Sequence, residues 1–345
     1  FAGYDMPLQY KGLLPEHHAV RAAAGMFDVS HMGEFYVQGA QAEALLQYAT
    51  SNDVQKLKPG NIQYSCLPND QGGIVDDLLV YRLSDTQFLL VVNASNIEKD
   101  WQRLVDLNQD FGAELENRSD QISLLAVQGP KATEVLQTLT KVDLASISYY
   151  NFTIGEMAGI GDVLISNTGY TGAGGFELYV SNEDAEALWD AVMQAGQKVD
   201  LVAAGLGARD TLRMEMGFCL YGNDITDQTS PLEAGLGWIT KLDTHFVASE
   251  LLKKQKEEGL TRRLCGFVMQ ERGIPRQGYP IKDAEGNAIG QVTSGTQSPS
   301  LGQAIGMGYI QVPMNKAGQE VFVEIRGKQL KALTTTFPFL KKDKT

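Results

Sequence analysis

EFYVQGAQAEALLQYATSNDV, residues 34–54, is a strand-like run, a glycine turn and a helix-like run, and the pattern returns later in the chain. LLAVQGPKATEVLQTLTKVDL, residues 124–144, repeats the VQG triplet and then matches further positions, Ala42/Ala132, Leu46/Leu136, Gln47/Gln137 and Asp53/Asp143. After each glycine the apolar residues have helical spacing. The pair predicts two copies of one strand, turn and helix unit.

A second pair of segments follows at nearly the same offset. QFLLVVNASNIEKDWQRLV (87–105) aligns with GFELYVSNEDAEALWDAVM (175–193), with Phe88/Phe176 and Trp101/Trp189 matched. Two correspondences in one order indicate two related α+β modules, while chance similarity of strand and helix units is the alternative.

From about residue 255 the chain changes to short β-type runs between glycine and proline turns, namely LCGFVM, IGQVTSG, AIGMGYI, EVFVEI and LKALTTTF. This spacing is typical of a small β-barrel or sandwich. At 345 residues the chain also exceeds a single ordinary core. We therefore expect an α+β fold with a first module at 1–117, a second at 118–254 that can interleave with it, and a β domain at 255–345. A ligand site is expected where these domains meet.

The net charge of −13 argues against a nucleic-acid partner, because phosphate binding needs a clustered basic surface. The densest basic run, KKQKEEGLTRR (253–263), is interpreted as a solvated helix end. The cysteines, Cys66, Cys219 and Cys265, are odd in number and form no CxxC pair, which indicates neither a disulfide framework nor a zinc site. A reducing compartment is expected.

No apolar stretch approaches the roughly 20 residues of a bilayer span, so no membrane association is expected. The sequence opens with FAGYDMPLQY and without methionine, so we expect further N-terminal residues in the natural protein. A cytoplasmic location is favoured, with the mitochondrial matrix as the alternative if a targeting segment was removed.

GGIVDDLLVYRL (72–83) places two carboxylates, Asp76 and Asp77, in a strand that otherwise looks buried. Successive side chains of a strand point to opposite faces, so one aspartate can be structural while the other works. The alternative is that both cap the bend after NDQGG, residues 69–73.

SNTGYTGAGGFELYV (166–180) has glycines too irregular for a phosphate loop, and no lysine follows them. We interpret it as a hairpin beside a ligand, with Tyr170 and Glu177 next to the loop. A carboxylate in the apolar run FELYV is costly unless it is paired or bound to a ligand such as an amino-pyrimidine edge. An edge-strand Glu177 facing water is the alternative.

VAAGLGARDTLRMEMGF (202–218) predicts a helix entered through glycines. Asp210 and Arg213 are three residues apart and can pair, which leaves Arg209 for a ligand carboxylate. His31 has no nucleophile motif around it and is interpreted as a core or turn histidine. No histidine or cysteine has metal-ligand spacing, so no metal is predicted.

Together these stretches resemble a known family, the T-proteins of the glycine cleavage system. The resemblance runs in order from residue 1 to about residue 340 through FAGYDMPLQY, HHAVRAAAGMFDVSHMGE, GGIVDDLLVY, VVNASNIEKDW, NTGYTGAGGFELYV, AAGLGARDTLRMEMGFCLYGNDI, PLEAGLGWITKL and TSGTQSPSLGQAIGMGYI. It implies an aminomethyltransferase of three domains around a central folate channel. The implied reaction takes an aminomethyl group from lipoylated H-protein to tetrahydrofolate, the acceptor substrate, and gives 5,10-methylenetetrahydrofolate, ammonia and dihydrolipoyl H-protein.

The resemblance also implies roles for individual residues. Asp77 matches the carboxylate near the folate nitrogens, and Arg209 matches the arginine that holds the folate tail. The pterin side is matched by Tyr64, Asn93, Tyr170 and Glu177. The family commonly has an arginine after the C-terminal PF, where this chain has Lys341, a point charge instead of a fork.

Other functions share this resemblance. A folate-dependent demethylase of the same fold is one, although the enzymes fused to sarcosine or dimethylglycine oxidation normally carry a flavin domain that this chain lacks. A non-enzymatic folate-binding protein of iron-sulfur maintenance is another. Its KGCYxGQE-like motif is absent, and this chain has GARDTLRMEMG at the comparable region.

Overall fold

The structure, a computed structural model that describes residues 1–341, divides into two units. Unit 1 holds residues 1–67 and 75–209, and unit 2 holds residues 68–74 and the chain from residue 210. The strands of unit 1 are β1 (Gly25–Asp28), β2 (Gly33–Gln38), β3 (Ile62–Pro68), β4 (Ile74–Arg82), β5 (Gln87–Val92), β6 (Glu114–Asn117), β7 (Ile122–Gln128), β8 (Phe152–Met157), β9 (Ile160–Ser166), β10 (Gly175–Ser181) and β11 (Val202–Ala203). Its helices are α1 (Leu13–Ala22), α2 (Ala42–Ala49), α3 (Ile97–Asn108), α4 (Ala132–Gln137), α5 (Ala185–Gly196) and the start of α6 (Leu206–Met216).

Two sheets in unit 1 repeat one topology. The first has the order β3-β4-β5-β2-β6, and the second has the order β8-β9-β10-β7-β1-β11. The register repeats as well, since Val37 lies opposite Phe88 in the first sheet and Val127 lies opposite Phe176 in the second. The predicted duplication is therefore confirmed by strand order and register together.

The glycines of the two VQG triplets have a backbone conformation that favours glycine. Gly39 and Gly129 have φ values of 99° and 132°, in the left-handed region that favours glycine. At Gly129 a side chain would also bring a Cβ within 2.5 Å of the Ala23 carbonyl oxygen. Each glycine ends a strand and leads into the helix that follows.

Each sheet packs its helices over a separate core. The first core includes Phe35, Leu46 and Phe88, with the Trp101 ring 5.1 Å from that of Phe35; the second includes Val127, Leu136 and Phe176, with Trp189 against it. The second sheet also takes β1 from the first 117 residues. The division at residues 117 and 254 stays a prediction.

Unit 2 contains the β domain expected at the C-terminus. Its elements are α7 (Ser249–Glu258), β12 (Arg262–Met269), β13 (Pro280–Lys282), β14 (Ala288–Gln297), β15 (Ala304–Gln311), β16 (Glu320–Ile325) and β17 (Lys328–Thr335). The strands close a barrel in the order β12-β15-β14-β13-β16-β17, because β17 pairs again with β12. Of the two predicted forms, barrel and sandwich, the barrel is confirmed.

The basic run at 253–263 is partly neutralised by neighbouring carboxylates. Lys253 lies 2.6 Å from Glu250, and Arg262 lies 2.9 Å from Glu233. This agrees with a solvated helix end. Within residues 1–341, no helix combines the length and apolar character needed to cross a membrane.

Candidate active site

The two neighbouring aspartates of β4 have different surroundings, as strand alternation predicts. Asp76 is fully buried, whereas Asp77 is only partly buried and its Oδ2 accepts a hydrogen bond of 2.8 Å from the Tyr64 hydroxyl. The preceding bend is capped by Asn69, whose Oδ1 accepts the N–H groups of Gln71 and Gly73. The interpretation that the aspartates cap this bend is therefore wrong.

Asn93 links the two carboxylates. Its side-chain nitrogen lies 2.8 Å from Oδ1 of Asp76 and 2.8 Å from Oδ1 of Asp77. Its backbone N–H donates to Asp76 Oδ2 at 2.9 Å, and Asn96 donates to Asp76 Oδ1 at 2.6 Å. The structure thus brings Tyr64, Asn93 and Asp77 into one hydrogen-bonded cluster.

The groups that donate hydrogen bonds to Asp77, the Tyr64 hydroxyl and the Asn93 amide, are uncharged. The pKa of Asp77 is therefore set mainly by its burial and by the charge of Asp76. Burial first, and then the charge of Asp76, raise the pKa of Asp77 to about 7 against the hydrogen bonds from Tyr64 and Asn93, which lower it. A carboxylate with a pKa near the working pH is suited to general base catalysis.

Glu177 lies on β10, which is paired on both sides by β7 and β9. The edge-strand alternative is therefore wrong. One carboxylate oxygen of Glu177 accepts a short hydrogen bond from the Thr168 hydroxyl. Burial raises the pKa of Glu177, while the Thr168 hydrogen bond and the Arg209 charge lower it.

The faces that carry Asp77 and Glu177 converge. Tyr81 shares a face of β4 with Asp77, and its hydroxyl lies 2.9 Å from that of Tyr179, which shares a face of β10 with Glu177. Burial raises the pKa of Tyr150, and the charges of Glu177 and Asp77 both raise it further. The two carboxylates therefore border a common region between the two sheets.

Tyr170 and Arg209 also come together in unit 1. The Arg209 guanidinium lies 4.6 Å from the centre of the Tyr170 ring, a cation–π contact. Arg209 also lines a small cleft with Tyr10, Asp28 and Gly205. In unit 2 the predicted pair of Arg213 and Asp210 is present at 2.8 Å, and Arg213 also binds the buried Asp224 at 2.7 Å.

Two other predicted positions lie outside these clusters. His31 is buried against the rings of Phe1 and Tyr4, and its burial lowers its pKa to about 4, as befits a core histidine. Lys341 is exposed at the end of the described chain. Among the described residues no three histidine, cysteine, aspartate or glutamate side chains are grouped to hold a metal ion, and the absence of a metal stays a prediction.

Several site residues escaped the sequence analysis, among them Tyr81, Thr168, Asn96 and Asp100. For two of these a signal was present, because Asn93, Asn96 and Asp100 have the i, i+3, i+7 spacing of one helix face. Tyr81 and Thr168 carried no such signal, since their partners lie far away in sequence.

Comparison with known proteins agrees with this architecture. Residues 1–244 match the GCVT N-terminal domain, and residues 262–341 match the glycine cleavage T-protein C-terminal barrel domain. The aminomethyltransferase of Flavobacterium psychrophilum is 57% identical over 342 residues, and that of Bacteroides thetaiotaomicron is 58% identical over 343 residues. In both cases the match covers 99% of this chain and 95% of the relative.

A solved structure is similar over the same length. The crystal structure of glycine cleavage system aminomethyltransferase T from Bartonella henselae has a TM-score of 0.92 and 37% sequence identity, and the match covers 99% of this chain and 93% of that one. A duplicated α+β region followed by a closed barrel, with these matches, defines a glycine cleavage T-protein, and the chain belongs to that family. The enzyme is an aminomethyltransferase.

Proposed function

We propose that this aminomethyltransferase takes the aminomethyl group from the lipoyl arm of H-protein and transfers its carbon to tetrahydrofolate. The carbon loses its bonds to sulfur and to the amine, and it gains bonds to the two folate nitrogens, N5 and N10. The two protons released from those nitrogens end on ammonia and on the dihydrolipoyl thiol. The products are 5,10-methylenetetrahydrofolate, ammonia and dihydrolipoyl H-protein.

The observation that carries this proposal is the partly buried Asp77, held by Tyr64 and Asn93, with a pKa raised to about 7. A folate nitrogen must lose a proton as it attacks, and a positive charge develops on the carbon as the amine leaves. Asp77 can orient the attacking N–H, accept its proton and offset that charge.

The remaining candidate residues are proposed to bind the folate. Glu177 is the acceptor for the amino-pyrimidine edge of the pterin, with Tyr64, Asn93 and Tyr170 beside it. Arg209 is the partner of the folate tail, since a guanidinium binds a carboxylate through two parallel hydrogen bonds. Lys341 is proposed to meet a glutamyl carboxylate as a point charge.

The proposal is tested by incubating the enzyme with tetrahydrofolate and aminomethyl-loaded H-protein while ammonia is measured. Ammonia release that depends on both substrates is expected. Sarcosine or dimethylglycine in place of loaded H-protein tests the demethylase alternative, for which the methyl group would pass to tetrahydrofolate and 5-methyltetrahydrofolate would form without ammonia. Folate binding without turnover of any donor would instead favour the non-enzymatic alternative.

The proposed location is the cytoplasm. It is supported by the bacterial origin of the named aminomethyltransferases. Fractionation of the host cell, with immunodetection of the enzyme, measures it directly.

A further inference from the structure

Asp100 is a carboxyl group of α3 that is buried without a hydrogen-bond donor beside it in the part of the chain that the structure describes. It is fully buried, and in the part of the chain that the structure describes neither of its oxygens accepts a hydrogen bond from an N–H or O–H group. Burying an ionised carboxylate without such partners is strongly unfavourable, because nothing replaces the hydration that the charge loses. Asp100 therefore retains its proton.

The acceptor for that proton is Asp76. Burial raises the pKa of Asp76, and the hydrogen bonds that it receives from the Asn93 backbone, the Asn93 side chain and Asn96 oppose burial by favouring its ionised form. Asp100 lies on α3, four residues after Asn96, the donor to Asp76 Oδ1, and a hydrogen bond from a protonated Asp100 lowers the pKa of Asp76. Two carboxyl groups can bond only when one supplies the proton, and Asp100, which lacks other donors, is that one.

The chain of contacts continues from Asp76 to the reacting carboxylate. Asp76 fixes Asn93 at both its backbone N–H and its side-chain amide, and the same amide lies 2.8 Å from Asp77 Oδ1. Displacing Asp76 would thus release the group that orients Asp77.

We propose that Asp100 is a positioning residue of the aminomethyl transfer site, a neutral acid whose proton holds Asp76 and, through Asn93, sets the orientation and charge environment of Asp77. The part concerning Asp77 rests on the proposed function, whereas the protonated state of Asp100 does not.

The electrostatics of the cluster agree with this geometry. Burial raises the pKa of Asp100 to about 11, the Asp76 charge raises it as well, and Lys99 on the same helix opposes them. The other titratable groups that face the aspartates are Tyr64 and Cys66 on β3 and Tyr150 before β8. Burial raises the pKa of Cys66 and of Tyr150, so both stay neutral and Asp76 is the charge that acts on Asp77.

Loss of the Asp100 proton should lower the pKa of Asp77. Without the proton of Asp100, Asp76 is protonated more easily, its negative charge acts less on Asp77, and the pKa of Asp77 falls. The acid limb of the profile of kcat/KM against pH then moves to lower pH.

The experiment compares Asp100→Asn, Asp100→Leu and the wild-type enzyme, with Asp106→Asn as a matched control on an exposed position of the same helix. The amide of Asp100→Asn can still donate to Asp76. The acid limb of this variant should therefore stay within about 0.3 pH units of wild type, well below the shift expected when the hydrogen bond to Asp76 is lost. Asp100→Leu should move the limb down by about 0.5–1 unit and reduce kcat on the order of tenfold, because the base is mispositioned. The KM for tetrahydrofolate should change much less than kcat.

A second readout needs no turnover. Burial also raises the pKa of Glu34 to about 9 and that of Asp77 to about 7, so their protonated carboxyl groups contribute to the infrared spectrum of the free enzyme at neutral pH and cancel in a difference spectrum between wild type and Asp100→Asn. That difference spectrum should contain one further carbonyl band of a protonated carboxyl group, present in wild type and lost in Asp100→Asn. If that band is absent from wild type, or if Asp100→Asn shifts the acid limb as far as Asp100→Leu does, the proposal is overturned. If Asp100→Leu does not fold, the asparagine variant and the infrared band decide. A wild-type enzyme that shows the band but releases no ammonia would refute the proposed function and leave the assignment of the Asp100 proton standing.

Discussion

The Tyr64 hydroxyl is the contact through which the acidity of Asp77 can be changed most directly. It donates to Asp77 Oδ2 at 2.8 Å and stabilises the ionised carboxylate, so it lowers the pKa of Asp77. In Tyr64→Phe this donor is lost while the ring remains. The pKa of Asp77 should therefore rise, and the acid limb of kcat should move to higher pH.

The size of the shift follows from the hydrogen bond. A bond to a charged group contributes about 1.5–3 kcal/mol, equivalent to about 1–2 pKa units. Because Asp77 is partly exposed and keeps its bond to Asn93, the lower end applies, about one unit. With a wild-type pKa of about 7, the ionised fraction at about pH 7 falls from about one half to about one tenth, a roughly fivefold loss of kcat. At about pH 9 both enzymes are almost fully ionised and should have similar kcat.

The assay is kcat between about pH 5.5 and 9.5, a span that covers both expected limbs, with tetrahydrofolate and loaded H-protein saturating. Tyr279→Phe, a tyrosine packed against the barrel core, serves as the control and should leave the limb unchanged. A loss of activity in Tyr64→Phe that is the same at every pH would refute the assignment of Asp77 as the titrating base. A limb that moves to lower pH would refute the sign.

Asp77→Asn should fold and bind folate but lose at least about 100-fold in kcat, because an amide cannot accept the proton; more than half of wild-type activity would contradict its role. Asp76→Asn sets an amide against the donors around it and should lower the free energy of unfolding by about 1–3 kcal/mol in urea titrations, more than Asp77→Asn does. Glu177→Gln and Arg209→Met should each weaken folate binding by about 10- to 150-fold, or about 1.5–3 kcal/mol, in calorimetry, and unchanged affinity in both would reject the pocket. Glu34 is fully buried, and burial raises its pKa from 4.5 to about 9, so the folded state keeps a proton that the unfolded chain releases. The free energy of unfolding of the wild type should therefore fall as pH rises through this window. Between about pH 5 and pH 8 the difference in unfolding free energy between Glu34→Gln and wild type should change by up to about 4 kcal/mol in favour of the variant, and a difference that is independent of pH would exclude a protonated Glu34.

The sequence by itself determined the features that depend on local pattern. The VQG turns, the helical spacing after them and the matched positions Phe88/Phe176 follow from the repeated pattern, whereas the pairing of Val37 with Phe88 and of Val127 with Phe176 came from the structure. The β-rich C-terminus was readable from its short runs and turns, although only the pairing of β17 with β12 decided between barrel and sandwich. Pairing partners are set by closure of the whole sheet, which no local pattern records.

The site divides in the same way. Unusual residue types in buried-looking runs pointed to the pair Asp76 and Asp77, to Glu177 and to Arg209, because a charge in an apolar strand or a spare arginine has a physical cost that a function can explain. The family resemblance then selected Asp77 from the pair. Only the tertiary structure brought Tyr81 to Tyr179, 98 positions away, and buried Asp100 against Asp76. Their hydrogen bonds and protonation states depend on which groups surround them after folding, because burial shifts a carboxyl pKa only when distant segments exclude water from it.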